Sequence, residues 1–322
     1  MLDATLEPAN AHNKNKFTSD PQEEAQRQAR YFEYSSAANP IRPGLTPRVP
    51  FHLFASSLYD SGSTRRVVLD LSEQLHSQGP ATGPGLCASF LRILAGEALT
   101  LDDNATSQVF YAISGAGAVQ SGGVRFQWMK GDFFTAPGGS PTIISASEDA
   151  TLYSVNDAPL LTYLGVRTDR PRFAPTLYPA ARANAELLRV RNDPNASNRS
   201  RISVLLGHEN FPRTRTVTHV LWAMYGVVPR ASAQKPHRHQ SIALDFIVDC
   251  APGCYSLVGA KLDDGVAIAD PVRVDWEPGC AFVTPPGYWH AHFNESGADA
   301  RLIPIQDAGL QTYLRTLDIR FT

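Results

Sequence analysis

Apolar residues fall in short runs along most of this chain, and polar turn residues separate them. Between Val68 and Val166 the runs SFLRILAG, QVFYAISG, GAVQSGG, VRFQWMKG, DFFTAP, PTIISAS and ATLYSVND follow at short intervals, with Gly, Pro, Asn and Asp between them. That rhythm predicts short antiparallel strands closing into a sandwich or barrel. Residues 167–200 break it with Pro-rich turns around a short helix and read as a linker. The rhythm then returns in RISVLLG, TVTHVLWAMYGVV, IALDFIVD, CYSLVGAKL, PVRVDWEP, CAFVTPP, HAHFNES and ARLIPIQD, and the alternating tail LQTYLRTLDIRFT predicts a closing strand. Both β regions share an order of strand, turn, strand, Gly-Asp or Pro-Gly, strand, which implies an internal duplication. The expected layout is an N-terminal arm over 1–50, a first barrel over 51–166, the linker over 167–200 and a second barrel over 201–322.

Ahead of the barrels the pattern changes. Residues 1–20 are polar and expected to be disordered. SDPQEEAQRQARYFEY predicts a short helix capped by Ser19 or Asp20, with Pro21 in its first turn and acids early. NPIRPGLTPRVP then predicts an extended arm of the kind that packs along a neighbouring sheet or subunit.

Composition narrows the class. The 322 residues are 43% hydrophobic and 19% charged, with 24 Pro and 23 Gly, as in a turn-rich globular protein. A net charge of −2 leaves no electrostatic footprint for nucleic acid. The four cysteines are too few for a disulfide framework, and Cys250 and Cys254 around Ala-Pro-Gly read as turn thiols rather than a zinc pair. The polar N-terminus lacks the apolar centre of a signal peptide, and no run of about 18 apolar residues could span a membrane, so a cytoplasmic protein is expected.

The chemistry concentrates in the second half. His237 and His239 stand at i and i+2, as do His290 and His292, and on strands that spacing puts each pair on one face. Two antiparallel strands inside a barrel could bring three imidazoles to one point, where neutral imidazole suits Fe, Zn, Cu or Ni. Gly279, Pro285, Gly287, His290 and Asn294 fit the second cupin motif, G-x5-P-x-G-x2-H-x3-N, at every position, and His237-Arg238-His239 fits the core of the first. The Glu that usually follows is missing, with Ala243 and Leu244 in its place. Trp222, Ala223, Pro229, Arg230, Ala243, Phe246 and Val248 around the histidines, with WHAHFN and LDIRF, make the region from about 200 to 322 resemble the gentisate and salicylate 1,2-dioxygenases.

The resemblance implies an all-β bicupin: two double-stranded β-helix (jelly-roll) barrels behind a short N-terminal helical arm. It implies Fe(II) held by His237, His239 and His290, and His292 as the catalytic residue near bound dioxygen. Trp222 and Arg201 would line the substrate site, Arg201 toward a carboxylate. Asp245 stands where the family commonly has an arginine, and an acid there would favour a substrate carrying an amino or hydroxyl donor. The metal barrel is the second here, whereas the family's is commonly the first. The first barrel has no histidine between His76 and His208, so it is expected to be metal-free. Gln108 there reads as a solvated strand residue, and Arg238, between two inward histidines, as an outward one. The implied reaction opens gentisate, salicylate or a 5-substituted salicylate between the carboxyl- and hydroxyl-bearing carbons. The partners are a small aromatic substrate and O2 in a homodimer or homotetramer. The other readings are a different metal-dependent cupin oxygenase or isomerase, and a non-catalytic bicupin that binds a small molecule.

Overall fold

The structure, a computed structural model, describes residues 20–196 and 199–322. The expected disorder of residues 1–20 therefore lies, apart from Asp20, outside the described residues. Two units are separated at Thr46 and Pro47. In the first, helix Pro21–Arg27 starts as expected, with the Asp20 carboxylate accepting the Gln22 N–H at 2.9 Å. It does not run on to Tyr34. Glu33 takes an extended conformation and caps a new four-residue helix, Tyr34–Ala37, by accepting the N–H groups of Ser35 and Ser36. A new cap needs non-helical backbone, so the first helix stops before it.

The second unit, Pro47–Thr322, is built of strands. In the first barrel a six-stranded sheet runs in the order Thr176–Tyr178, Phe133–Pro137, Ser107–Ser114, Ala150–Asn156, Cys87–Ile93, Arg65–Val68. A four-stranded sheet of Ala98–Leu101, Thr142–Ala146, Ala116–Ser121 and Val124–Met129 faces it. The second barrel repeats the plan. One sheet holds Leu53–Phe54, Ala281–Thr284, Ala243–Asp249, Ala300–Gln306, Trp222–Val228 and Ile202–Leu206. The other holds Val272–Asp275, Cys254–Gly259, Trp289–Asn294, His237–Arg238 and Arg320–Phe321, with Ser232–Ala233 beside Trp289–Asn294. This is the bicupin architecture that the cupin motifs imply.

Three segments depart from the sequence reading. Leu53–Phe54, expected with the first barrel, pairs with Ala281–Thr284 of the second. Thr176–Tyr178, within the expected linker, extends the first barrel's sheet along Phe133–Pro137, and helix Ala180–Arg191 follows it. The tail is not one strand: Ala308–Leu314 is a helix, and only Arg320–Phe321 pairs, with His237–Arg238. Leu310 and Leu314 fit a helical i, i+4 spacing as well as they fit alternation.

The large sheets of the two barrels pack face to face. Phe90, Tyr111 and Tyr153 from the first and Phe246 and Tyr225 from the second share one core, with the Tyr153 and Phe246 rings stacked at 5.0 Å. The barrel interiors differ. The first is filled by Phe110, Phe134, Trp128, Leu91 and Ile144. The second has an apolar end around Phe282, Trp276 and Leu302, and a polar end where the histidines lie.

Candidate metal centre

Strand register assembles the site. His237 lies directly opposite His290 in the pairing of His237–Arg238 with Trp289–Asn294, and such cross-strand pairs hold their Cβ atoms about 4.5–5.5 Å apart. His239 follows the short strand, and its carbonyl accepts the Gly287 N–H at 2.7 Å, which ties the second motif's turn to the first motif. Gly287 has φ +76°, and Gly279 has φ +81° with a Cβ there meeting the Tyr59 hydroxyl at 2.1 Å, so both motif glycines answer a backbone requirement. Asn294 braces the strand's end, donating to the carbonyls of Val228 and Ala298.

One potential ligand atom from each of His237, His239 and His290 lies within 4.8 Å of the other two, and all three side chains are buried. This is the one such group of three among the described residues. Second partners set the tautomers. The Nδ1 atoms of His237, His239 and His290 face the backbone carbonyls of His290 (3.2 Å), Ser241 (2.8 Å) and Tyr288 (3.2 Å). A carbonyl only accepts, so the protons of His239 and His290 sit on Nδ1 and their Nε2 atoms keep their lone pairs, whereas His237 has the donor-only Arg201 guanidinium against both ring nitrogens. His239 Nε2 is buried and has no partner at all, which is the state of an atom awaiting a ligand. Burial, then the charges of neighbouring groups, holds His237 and His290 well below the ordinary imidazole range. Burial holds His239 down at about 4. All three are therefore neutral at pH 7, the form that binds a metal, and the residues present fit one.

The other expected residues distribute unevenly. His292 is buried on the same face as His290, with ring centroids 5.9 Å apart. Its Nδ1 meets Ser256 Oγ at 2.7 Å, and that oxygen accepts the Trp276 indole N–H at 2.9 Å. The Ser256 proton then has His292 Nδ1 as its acceptor, so His292 carries its own proton on Nε2. Arg201 and Asp245 both enter the cavity that His237, His290 and His292 line. The Arg201 guanidinium lies against His237, with its Nη2 reaching both ring nitrogens, Nδ1 more closely than Nε2. Burial lowers its pKa to about 9, which leaves it charged at neutral pH. Burial raises Asp245 to about 7, against the Thr284 hydroxyl that donates to Oδ2 at 2.8 Å and the Arg201 charge.

Trp222 is the exception. Met224, two residues further along the strand, lines the cavity, and Trp222 does not. Trp222 starts its strand opposite Gln306, and its buried indole N–H lacks a partner. In the first barrel Gln108 is buried rather than solvated, its amide near Thr142 Oγ1 at 3.4 Å, because its strand is central in the sheet. Arg238 turns away from the cavity and lies over the Trp289 ring at 5.4 Å. Ser256, Trp276, Ser241 and Gln306, none of which the sequence reading singled out, hold the outer positions. Ser241 Oγ lies 3.0 Å from His239 Nδ1 and donates to Gln306 Oε1 at 2.8 Å. Ser241, two positions after His239, was the one legible signal.

No protein-family model and no curated protein matches this sequence. Solved structures do match the fold. Salicylate 1,2-dioxygenase from Pseudoaminobacter salicylatoxidans, as an adduct with gentisate, superposes with a TM-score of 0.69 at 12% identity, covering 93% of each chain. A second structure of that enzyme gives 0.68 at 11% identity over 93% of this chain and 96% of the other. A variant in complex with gentisate gives 0.69 at 10% identity over 99% and 98%. At such identities the likeness is one of fold. No helix among the described residues is long and apolar enough to cross a membrane.

Proposed function

We propose that this protein is an Fe(II)- and O2-dependent ring-cleaving dioxygenase acting on an ortho-hydroxy aromatic acid: gentisate, salicylate or a 5-substituted salicylate. The observation that carries the reading is the convergence of three buried imidazoles, two of which, His237 and His290, line the cavity that also holds a charged, buried arginine. His237, His239 and His290 would hold the iron. When bound, it supplies Lewis-acid and electron-transfer chemistry toward dioxygen and the ring. The ring bond between the carboxyl- and hydroxyl-bearing carbons breaks, and both atoms of O2 enter the product.

The chain's own groups bind, orient and move protons. Arg201 is the cavity's cation and the natural partner of a substrate carboxylate, which a guanidinium grips with paired N–H donors. The free space around it is about 20 Å³, room for a single water, which needs about 10–15 Å³ on that measure. An aromatic acid must therefore draw Arg201 off His237 as it enters. His292, with its proton on Nε2, is the group placed to give a proton to a reacting oxygen. Asp245 has its second oxygen left for a donor on the substrate, which favours 5-amino and 5-hydroxy salicylates over 5-nitro or 5-halo ones. The same reading takes the enzyme as a cytoplasmic homodimer or homotetramer, which light scattering distinguishes.

The test is oxygen uptake by anaerobically purified, Fe(II)-reloaded protein across gentisate, salicylate and 5-substituted salicylates. Uptake with a new ring-opened absorbance, lost in His290→Ala together with bound iron, is expected. An iron-loaded protein that consumes no oxygen with any of these acids refutes the proposal.

A further inference from the structure

We infer that the cleft between the two barrels is a second small-molecule site, for a small organic carboxylate with an aromatic or apolar body. It is a cavity of about 500 Å³, within the roughly 300–1,000 Å³ of ordinary ligand pockets and far larger than the space beside the histidines. It opens on the opposite face of the strand Ala243–Asp249. Asp245 points into the barrel, whereas Phe246 and Val248 line the cleft. The floor is apolar and aromatic: Phe246 and Ile113, with the rings of Tyr111 and Tyr225 as walls.

The polar groups choose an anion. Tyr111 is only 6% exposed, yet among the described residues its hydroxyl makes no hydrogen bond and it lines the cavity. Burial raises the phenol's pKa, so it remains an O–H donor. With no protein acceptor, this hydroxyl faces the cavity's solvent and is available to an acceptor on a ligand. Neighbouring groups are already engaged. The Tyr225 hydroxyl donates to Asn184 Oδ1 at 3.0 Å and accepts from Arg301 Nη1 at 3.2 Å. Arg301 is held by Asp249, its Nε 2.9 and 3.0 Å from the two carboxylate oxygens. Lys130 at the rim has no ion pair among the described residues. Lys130 and Arg301 against Asp249 leave the lining with one positive charge in excess. A carboxylate reaching Lys130 and the Tyr111 hydroxyl, with its ring over Phe246, meets the cleft's free cation, its free O–H donor and its apolar floor together.

A 19F NMR titration of 4-fluorobenzoate into the full chain tests this, with the variants His290→Ala, Lys130→Glu and Tyr111→Phe. Lys130 is exposed and Tyr111→Phe keeps the ring, so both cleft variants retain the packing. Saturable binding that survives His290→Ala and weakens at least fivefold in both cleft variants is expected. Absence of saturable binding to His290→Ala, or undiminished affinity in either cleft variant, overturns the inference.

Discussion

At the scale of single residues, the site works because partners outside it fix the protons within it. Ser256→Ala removes the acceptor of the Trp276 N–H and the group that orders His292. The expected result is unchanged iron content with turnover reduced about tenfold or more, part of the roughly 10²–10⁴-fold that a positioned proton donor contributes. Iron assay beside single-turnover rates separates the two. Asp245 makes a stability prediction in metal-free protein. Its folded pKa, about 7, lies above its ordinary value of 3.8, so the native state binds the extra proton between those values. Asp245's own contribution to stability should therefore fall as pH rises from about 4 to about 7, opposite in sign to that of the buried histidines, and Asp245→Asn should remove it, so that stability gains more with rising pH in the variant than in the parent. Denaturant midpoints at several pH values measure it, and an identical pH dependence in the two proteins would contradict the assignment. The histidines were legible because their types and spacing are local. Ser256 and Trp276 were not, since nothing in their own neighbourhoods marks them as partners of a histidine in another strand.

At the scale of elements, the duplication shows most clearly in a strand and helix that each barrel carries. Ala150–Asn156 leads into helix Ala158–Leu164, and Ala300–Gln306 into helix Ala308–Leu314, with Asp-Ala-x-Leu-x-Thr-Tyr-Leu at both junctions. The aspartates do the same work. Asp157 accepts the N–H groups of Thr106 and Ser107, and Asp307 accepts that of Ile242, so each pins the start of a central strand. Burial raises the pKa of both carboxyls, a cost these bonds offset. Asp307→Ala leaves the Ile242 N–H unpaired and should lower unfolding free energy by about 1–3 kcal/mol. A urea midpoint equal to that of the parent would show the bond to be dispensable. Strand positions were readable from turn residues and apolar runs. The tail helix was not read because its own alternation is ambiguous, although the repeated octapeptide would have resolved it.

At the scale of the whole molecule, the two barrels are one packing unit. Phe246 sits between Tyr153, Phe90 and Tyr111 of the first barrel, while Asp245 beside it faces the second barrel's cavity. Phe246→Ala should cost about 3–5 kcal/mol, the usual range for a large buried ring. Because the ring belongs to both barrels, calorimetry should show a single transition moved down, whereas two separated transitions would mean that the barrels unfold independently. The strand Leu53–Phe54 adds a second tie, reaching past the first barrel to the second.

The histidine types and spacings, the motif glycines and the lengths of the strands are short-range properties, set by alternation, turn sterics and backbone reach, and these could be read along the chain. The placement of Arg201 and Asp245 in one cavity, the choice of Met224 over Trp222 as its wall, the Trp276–Ser256–His292 chain and the cleft around Tyr111 depend on strand pairings between distant segments. Which side chain meets which is then a matter of register and packing between sheets, and no local pattern encodes that.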